Sequence, residues 1–396
     1  MKYRNFGKTG IRVSALGFGT MRLPLVGKDE ADKRVDEQEA IAIIRRGIGK
    51  GINYVDTAYG YHGGHSERIV GLALQDGWRE KTCLATKFPC WEWKKPGDFE
   101  RILDVQLGRL QTDCVDFYLF HAVNADSWHN IILKQGLLDK MVEAKEAGKI
   151  RHIGFSFHDN LEVFKSIIDA TDIWEFCQIQ LNYLDTENQA GVAGLRYAHA
   201  KGLGVIAMTP LKGGKLVDLP PEAAKVFEGT GRTAAEWGLS FLWNMPELSM
   251  MLSGMGSRQM VDDNIEYASR SAPGMLTPED AYIIAQARQA LQGTDPIPCT
   301  SCEYCLPCPQ GVAIPSNFRA FNNLSKDKTK AECKALYETW VPMFGKQADA
   351  CVGCRVCESL CPQQIPIADR MKDVAETFRN LQVETDEDDP SQDEAT

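Results

Sequence analysis

Eight short apolar runs rich in β-branched residues, separated by longer amphipathic segments, constrain the fold of this chain more than any other feature. Strands that alternate with helices in this way form parallel sheets. Eight parallel strands close most naturally into a (β/α)8 barrel, which places its chemistry at the carboxyl ends of the strands. The predicted strands are 15–18, 53–56, 83–87, 115–121, 152–156, 176–182, 205–208 and 249–252.

Helical periodicity fills the intervals between these runs. The predicted helices are 37–50, 66–75, 99–110, 138–147, 161–170, 189–201 and 233–243. A hairpin turned at Lys8-Thr9-Gly10 precedes the first barrel strand, and 278–291 reads as a connecting helix with proline in its first turn. A charged segment at about 318–337 has a helical pattern.

Eight of the thirteen cysteines lie in two short runs near the end of the chain. The second run has the spacing C-x2-C-x2-C-x3-C-P, which is typical of bacterial ferredoxins, and the first differs in having only two residues before its last cysteine. Two such runs predict two 4Fe–4S clusters. The cysteines of the first run are Cys299, Cys302, Cys305 and Cys308, and those of the second are Cys351, Cys354, Cys357 and Cys361.

In the ferredoxin pattern three cysteines of a run hold one cluster and the fourth serves the other. This exchange assigns Cys361 to the cluster of the first run and Cys308 to the cluster of the second, although the short spacing before Cys308 departs from the pattern. Structural zinc bound by sets of four thiolates is the alternative. Zinc sites usually use two C-x2-C pairs, so the runs favour iron and sulfur.

Composition and charge limit the partners and the compartment. The 396 residues carry a net charge of −10 and no large basic block, which argues against binding to nucleic acid or anionic lipid. No stretch approaches the roughly 20 apolar residues that span a bilayer, and no secretion signal is evident. We therefore expect a cytoplasmic protein with a barrel at 1–292, an iron–sulfur module at 293–383 and a disordered acidic tail at 384–396.

Polar residues fall where four successive predicted strands end, namely Asp56, Lys87, His121 and Ser156. Since these ends converge in a barrel, a carboxylate, an ammonium and an imidazole should meet in one pocket. Tyr61, five residues after Asp56, lies on the adjoining loop. A phenol is a poor acid at neutral pH unless a cation such as Lys87 favours its anion. The group therefore predicts a proton donor to a carbonyl oxygen that receives a hydride.

The alternative for the same residues is a structural ion pair and a core histidine, and Tyr59 competes with Tyr61 for the role of acid. The strings around the pocket nevertheless resemble the aldo-keto reductase family, in its branch with a C-terminal ferredoxin domain. The matching strings are DTAYGYHGGHSE at 56–67, ATKFP at 85–89, YLFHA at 118–122 and GFS at 154–156. The resemblance implies that Tyr61 is the acid, that Asp56 and Lys87 support it, and that His121 orients the carbonyl.

The resemblance also implies that NADH or NADPH binds in an extended form on the barrel without a Rossmann fold, so the absence of GxGxxG is no objection. It places three groups of residues along the cofactor. They are Thr20, Ser156 and Gln178 near the ribose and the nicotinamide amide, Thr209 and Leu211 along the pyrophosphate, and Gly254, Arg258, Asp263 and Asn264 on the adenosine side.

Three positions depart from the family pattern. Phe157 stands where Asn is usual, Met208 stands where an aromatic ring usually stacks on nicotinamide, and Arg258 is the only basic residue of 253–264. A 2′-phosphate normally needs Arg or Lys against it, so this segment favours NADH over NADPH. Trp91 and Trp93, after the third strand, either line a substrate mouth or pack the loop.

The two halves handle electrons differently, because nicotinamide transfers two electrons as hydride and each cluster transfers one. Either the clusters only stabilise their module, or a protein partner or a further cofactor such as flavin splits the pair, or the barrel uses nicotinamide in another way. The leading hypothesis is an oxidoreductase that interconverts a carbonyl and an alcohol through Tyr61. The alternative is an electron-transfer or redox-sensing protein whose barrel binds a nucleotide or a partner.

Overall fold

All eight predicted barrel strands are present, and they close into a parallel barrel in sequence order, with the last strand paired to the first. This arrangement confirms the predicted fold class. Counting from the two strands of the N-terminal hairpin, the strands are β1 (Tyr3–Asn5), β2 (Arg12–Ser14), β3 (Leu16–Gly19), β4 (Tyr54–Asp56), β5 (Cys83–Pro89), β6 (Val115–Val123), β7 (Ile150–Phe157), β8 (Phe176–Gln180), β9 (Gly204–Met208) and β10 (Met250–Gly254).

The predicted helices between the strands are also present, each within two residues of its expected bounds. The helices are α1 (Glu37–Gly49), α2 (His65–Ala73), α3 (Asp98–Leu110), α4 (Leu137–Glu146), α5 (Leu161–Asp169), α6 (Gly191–Ala200), α7 (Pro221–Phe227), α8 (Ala234–Trp243), α9 (Arg258–Ser269), α10 (Pro278–Ala290), α11 (Ile314–Asn322), α12 (Lys330–Ala335) and α13 (Ile367–Asn380).

The structure, a computed structural model, describes residues 1–27, 32–294, 296–325 and 328–382. The chain divides into two units, of which the first comprises Met1–Leu219 and Ala224–Arg288 and the second comprises Pro220–Ala223 and the residues from Gln289 onward. The predicted tail at 384–396 lies outside the described residues. Among the described helices, none has the length and apolar character that a bilayer crossing requires.

The N-terminal hairpin closes the amino-terminal end of the barrel. β1 and β2 pair antiparallel around a turn that ends at Gly10, as predicted. Phe6 is fully buried against the rings of Tyr54, Phe117 and Phe176, at centroid distances of 6.2, 5.0 and 5.5 Å. Because aromatic side chains fill this end, the opposite, carboxyl-terminal end is the one left for chemistry.

The strands that carry the predicted site run further than expected. Lys87 and His121 each lie two residues before the end of their strand, and only Asp56 is terminal. The reason is that Lys87, Phe88 and Pro89 continue the β5–β6 ladder against 119–121. Lys87 therefore projects from regular strand backbone, whereas His121 lies where the β6–β7 register is interrupted, next to Ala122 with a φ of 54°.

The second unit has its own apolar core, formed mainly by the faces of α11 and α13. The helical pattern predicted at 318–337 proved to be two helices, α11 and α12, separated by a short 3-10 turn at Asn323–Ser325. The break has a local cause, since Thr329 starts α12 with a capping box that it forms with Glu332.

Candidate active site

A buried ion pair between Lys87 and Asp56 forms the centre of the site. Lys87 is 1% exposed, and its Nζ donates to Asp56 Oδ1 at 2.5 Å and to the carbonyl oxygen of Thr57 at 2.8 Å. The second carboxylate oxygen, Oδ2, accepts from Gln178 Nε2 at 2.7 Å. Charges buried in this way require opposite charge and hydrogen bonds, and the pair supplies both. The ammonium is thereby held charged at a fixed point.

Tyr61 lies next to this ammonium. Lys87 Nζ is 3.4 Å from the Tyr61 hydroxyl and 4.9 Å from the centre of its ring. The tyrosine begins a 3-10 turn, Tyr61–Gly64, in which His62 and Gly63 have positive φ. A 3.4 Å contact is long for a hydrogen bond, but catalytic contacts often tighten only when a ligand binds. A cation at this distance favours the phenolate over the phenol.

His121 completes the group on the neighbouring strand. It is buried, and its ring lies 5.9 Å from that of Tyr61 at an interplanar angle of 80°. Burial, with smaller contributions from Lys87 and His158, lowers the pKa of His121 well below its ordinary value. A neutral imidazole is therefore the form at neutral pH, and it can donate a hydrogen bond without competing as an acid.

The four predicted catalytic residues thus converge from β4, the following loop, β5 and β6. The two predicted tryptophans differ from each other. Trp91 lies beside His121 with its ring centre 5.0 Å away, whereas Trp93 packs against the apolar core of the barrel. Of the two, Trp91 is the one placed to contact a substrate.

Three predicted cofactor residues turn their polar groups toward the protein. Thr20 Oγ1 donates to the carbonyl oxygen of Asp56 at 2.9 Å and contacts Ser66 Oγ at 2.8 Å. Ser156 Oγ accepts from the backbone N–H of Ala122 at 2.8 Å, where β6 has an irregular register. Gln178 is fully buried and binds Asp56. These three residues hold the floor of the pocket.

The remaining predicted cofactor residues follow the last two strands. Thr209 and Leu211 lie directly after β9, and Gly254 ends β10 in register with Gly19. Asp263 accepts from Gln259 Nε2 at 2.6 Å, and Asn264 is turned inward, donating to Ser253 Oγ at 3.1 Å. Of the nine residues, three follow barrel strands, Gly254 ends one, Ser156 and Gln178 lie within two residues of strand ends, and three lie on α9. The three that follow strands are Thr20, Thr209 and Leu211.

Arg258, at the start of α9, has a carboxylate partner. Its Nε and Nη2 donate to Glu39 of α1 at 2.9 and 2.8 Å. The pair occupies the guanidinium and places a carboxylate beside it. Phe157, one of the departures from the family pattern, is fully buried and packs against Phe155 and Phe164.

Sequence reasoning missed a polar network behind Lys87, formed by Glu67, Thr86 and Gln106, all fully buried. Gln106 Nε2 donates to Glu67 Oε1 at 2.7 Å and to the Lys87 carbonyl oxygen at 2.9 Å. A signal was available, because Gln106 interrupts an apolar stripe of α3 with helical spacing. The buried apolar residues of that stripe include Phe99, Ile102, Leu103 and Leu110.

Cysteines of both runs meet in the second unit. A small apolar cavity of about 20 Å³ is lined by cysteines of the first run together with Cys361, and its walls include Ile314, Phe318 and Ile365. Burial, with smaller contributions from Glu358, Cys351 and Cys308, raises the pKa of Cys357 to about 11. The predicted exchange of ligands between the two clusters stays a prediction. The first-run cysteines of the cavity are Cys299, Cys302 and Cys305.

The two runs also share an unusual backbone conformation. Ser301 and Glu303, on either side of Cys302, have φ of 52° and 65°, and Gly353 and Arg355, on either side of Cys354, have φ of 73° and 60°. Residues other than glycine seldom adopt such values. In the first run the N–H of Ser301 points to Cys299 Sγ at 3.4 Å. Because the two cysteine runs share this backbone conformation, they could each bind a cluster of the same kind.

Burial raises the pKa of four thiols of this region, those of Cys302, Cys305, Cys357 and Cys361. Burial raises the pKa of Cys302 to about 11, with Cys299 and Cys361 adding to the effect. Iron binding would therefore displace protons. Among the described residues, no three His, Cys, Asp or Glu side chains are grouped closely enough to hold a single metal ion.

Comparison with known proteins agrees with this division. The model of the aldo/keto reductase family matches residues 15–280, and the model of a 4Fe-4S dicluster domain matches residues 298–366. The barrel and its pocket thus define an oxidoreductase of the aldo-keto reductase type joined to a ferredoxin-type module. The chain belongs to the aldo/keto reductase family, which confirms the resemblance seen in its sequence motifs.

Individual relatives support the same assignment. L-galactose dehydrogenase of Arabidopsis thaliana is 29% identical over 293 residues, which are 67% of this chain and 87% of the relative. Aldo-keto reductase AKR11C1 from Bacillus halodurans has 27% identity, a TM-score of 0.60 and coverage of 72% of this chain and 96% of its own. An aldo/keto reductase from Klebsiella pneumoniae in complex with NADP and acetate has 25% identity, a TM-score of 0.58 and coverage of 72% and 94%.

We expect the imidazole of His121 to remain neutral as the pH falls through about 6.5, the value at which an ordinary histidine takes up a proton. An unfolded chain would bind that proton and the native one would not, so this residue lowers the stability of the fold as the pH falls. Long-range 1H–15N NMR would follow the ring. Lys87→Met should raise the pKa of His121 yet leave it below the ordinary value, because burial is the larger cause. Titration near 6.5 in the wild type would contradict this.

Proposed function

We propose that this protein interconverts a carbonyl compound and its alcohol, with hydride exchanged with NAD(P)H and the proton exchanged with Tyr61. The observation that carries the proposal is the buried ammonium of Lys87, neutralised by Asp56 and placed 3.4 Å from the Tyr61 hydroxyl. A positive charge fixed at that distance lowers the cost of the phenolate that remains after the proton has left. Tyr59 has no comparable contact, because its ring stacks on Arg109.

Each residue of the group has a separate task in this reaction. Tyr61 gives its proton to the carbonyl oxygen as that oxygen becomes an alkoxide, and the proton returns to it in the reverse direction. Lys87 stabilises the phenolate and Asp56 holds the ammonium in place. His121, neutral and buried, orients the carbonyl oxygen by donating a hydrogen bond. Trp91 beside it offers an apolar face to the substrate. Bound nicotinamide would supply the hydride.

We further propose NADH as the preferred dinucleotide, held along the rim that bears Thr209, Leu211, Gly254 and Arg258. The ion pair between Arg258 and Glu39 supports the choice. The Klebsiella pneumoniae relative is in complex with NADP, so the difference would lie in this part of the rim and not in the fold. The flavin considered as an electron-splitting cofactor remains a prediction that the comparisons do not support.

For the second unit we propose two 4Fe–4S clusters with exchanged ligands. One is bound by Cys299, Cys302, Cys305 and Cys361, and the other by Cys351, Cys354, Cys357 and Cys308. When bound, the clusters would pass single electrons to or from a redox protein partner. Thiolate ligands of this kind persist in a reducing compartment, which agrees with the expected cytoplasmic location.

Tyr61→Phe should lower the turnover of carbonyl substrates by about 100- to 10,000-fold and leave the affinity for the dinucleotide unchanged, because it removes only the proton donor. Turnover would be measured on a panel of aldehydes and ketones with NADH and NADPH, and affinity by quenching of tryptophan fluorescence. Tyr59→Phe is the matched control and should keep wild-type turnover.

Two results would count against this role. Wild-type turnover in Tyr61→Phe would exclude the phenol as the acid. A wild-type protein that reduces no carbonyl compound, while a protein partner reduces its clusters, would favour the electron-transfer alternative.

The exchange of ligands between clusters can be tested by alanine substitution. Cys302→Ala and Cys361→Ala should remove the same cluster, and Cys308→Ala and Cys354→Ala the other, so that iron falls from about eight to about four atoms per chain. Anaerobic purification, iron analysis and EPR of the reduced protein would distinguish the clusters. Cys333→Ala, in the apolar core of the same unit, should keep all the iron. Loss of the same cluster in Cys361→Ala and Cys354→Ala would exclude the exchange.

Glu39→Gln should lower the KM for NADPH about fivefold and leave the KM for NADH little changed, because it releases Arg258 and removes a repelling charge. Glu37→Gln is the matched control, since Glu37 lies on the same helix and pairs with Arg68 instead. Steady-state kinetics at low ionic strength would reveal the effect most clearly. An equal change for both dinucleotides would show that Glu39 does not select between them.

A further inference from the structure

Glu67 is a fully buried carboxylate that belongs to none of the roles described so far. It lies in the first turn of α2, six residues after Tyr61, and its side chain has no exposed surface. Its oxygens accept from three side chains on two elements, Thr86 of β5 and Gln106 and Arg109 of α3. Burying a carboxylate away from water costs free energy even when it is paired, and apolar residues in its place often stabilise a fold equally well. Its contacts therefore point to a role beyond packing.

One arm of these contacts reaches the strand that carries Lys87. Glu67 Oε1 accepts from Thr86 Oγ1 and from Gln106 Nε2, both at 2.7 Å. The same Gln106 nitrogen donates to the carbonyl oxygen of Lys87 at 2.9 Å, and Gln106 Oε1 accepts from the Tyr118 hydroxyl at 2.6 Å. The backbone of Lys87 is thus held from outside the barrel, opposite the side on which its ammonium binds Asp56.

The other arm reaches the loop that carries Tyr61. Glu67 Oε2 accepts from Arg109 Nη1 at 3.0 Å, and that nitrogen also donates to the carbonyl oxygen of Tyr59 at 3.2 Å. The guanidinium lies over the Tyr59 ring, 4.6 Å from its centre. It also lies against Gly64, where a β-carbon would come within 3.3 Å of it. Arg109 therefore contacts the chain on both sides of Tyr61, at Tyr59 and at Gly64.

Ser66, the residue before Glu67, is linked by hydrogen bonds to the backbone of Asp56. Ser66 Oγ contacts Thr57 Oγ1 at 2.9 Å and Thr20 Oγ1 at 2.8 Å. Thr20 in turn donates to the carbonyl oxygen of Asp56 at 2.9 Å. The first turn of α2 consequently fixes the backbone near Asp56, Lys87 and Tyr61 together, and Glu67 is the only charge in that turn with no exposed surface.

We propose that Glu67 is a positioning residue that joins the strand carrying Lys87 to the loop carrying Tyr61 and thereby sets the contact between ammonium and phenol. This inference rests on the proposed function in one respect, namely that the contact matters for proton transfer. In Glu67→Gln only one of the two side-chain oxygens remains an acceptor, so either Arg109 loses the partner that holds it against Tyr59 or Gln106 loses the acceptor that aims it at Lys87. The distance between Nζ and the phenol oxygen would then be free to grow.

The test follows the phenol itself, in the anaerobically purified full-length protein with its clusters. Tyrosines labelled with 13C at Cζ would be titrated by NMR, and Tyr61→Phe would identify the resonance of Tyr61. The charged and titratable groups near this phenol are Lys87, Asp56 and His121. Glu67→Gln keeps the shape and removes the charge. Tyr61 should then titrate about one pH unit higher than in the wild type, because the cation favours the phenolate less.

Asp116→Asn is the matched control at the other end of the same strands. Asp116 is 5% exposed, pairs with Arg79 and Arg151, and accepts from the N–H of Leu84 on β5 at 2.8 Å. It should reduce stability as Glu67→Gln does but leave the titration of Tyr61 unchanged. If both variants lose stability and neither moves the titration, Glu67 is merely structural and the proposal is wrong.

Thr86→Val provides a milder variant should Glu67→Gln not fold. It removes one hydrogen bond to Glu67 and keeps the Arg109 clamp, so a smaller upward shift is expected, and an unchanged titration would overturn the proposal. Because the titration needs no substrate, it remains readable even if the wild type reduces no carbonyl compound, which would count against the proposed function alone. Where turnover is measurable, kcat should fall in Glu67→Gln with little change in the KM for the dinucleotide.

Discussion

The buried ion pair between Lys87 and Asp56 is the interaction on which the rest of the site depends. A lysine that is 1% exposed remains charged only if a carboxylate and further acceptors surround it, and the barrel supplies Asp56 from one strand and the Thr57 carbonyl oxygen from the turn that follows. Gln178, from a strand further around the barrel, occupies the other oxygen of Asp56. The charge beside Tyr61 is thus held by an opposite charge and by hydrogen bonds from three separate parts of the barrel.

A barrel suits this demand because its two ends differ. Phe6 and the aromatic rings around it fill the amino-terminal end with apolar side chains, so the polar groups of the core gather at the carboxyl-terminal end. There the helix layer adds a further set of polar groups behind the strands. Gln106 of α3 donates to the backbone of β5 at Lys87, and Glu67 of α2 accepts from Gln106 and from the side chain of Thr86, so Lys87 has polar contacts on both faces of the sheet.

The iron–sulfur module poses a different physical problem, since eight thiols must become thiolates. In the first group burial raises the thiol pKa, so the positive charge of the iron is needed to remove the protons. The repeated positive φ values on either side of Cys302 and Cys354 give both runs the same path around their sulfur atoms. A 4Fe–4S cluster carries one electron, whereas the barrel site proposed here exchanges two as hydride. An exchange of electrons between the clusters and the barrel site would therefore need a carrier that accepts two electrons and releases them singly.

The sequence by itself determined the eight strands, Tyr61 with the three residues around it, and the eight cysteines, because apolar periodicity, strand-end polarity and cysteine spacing are local patterns. It also predicted an exchange of Cys308 and Cys361 between the clusters, and that stays a prediction. Only the tertiary structure decided which polar groups face inward. Thr20 and Ser156 turned out to hold backbone, Arg258 to pair with Glu39, and Glu67 to lie between two arms of the site. These contacts join residues 19 to 219 positions apart, and no local pattern encodes partners so distant in the chain.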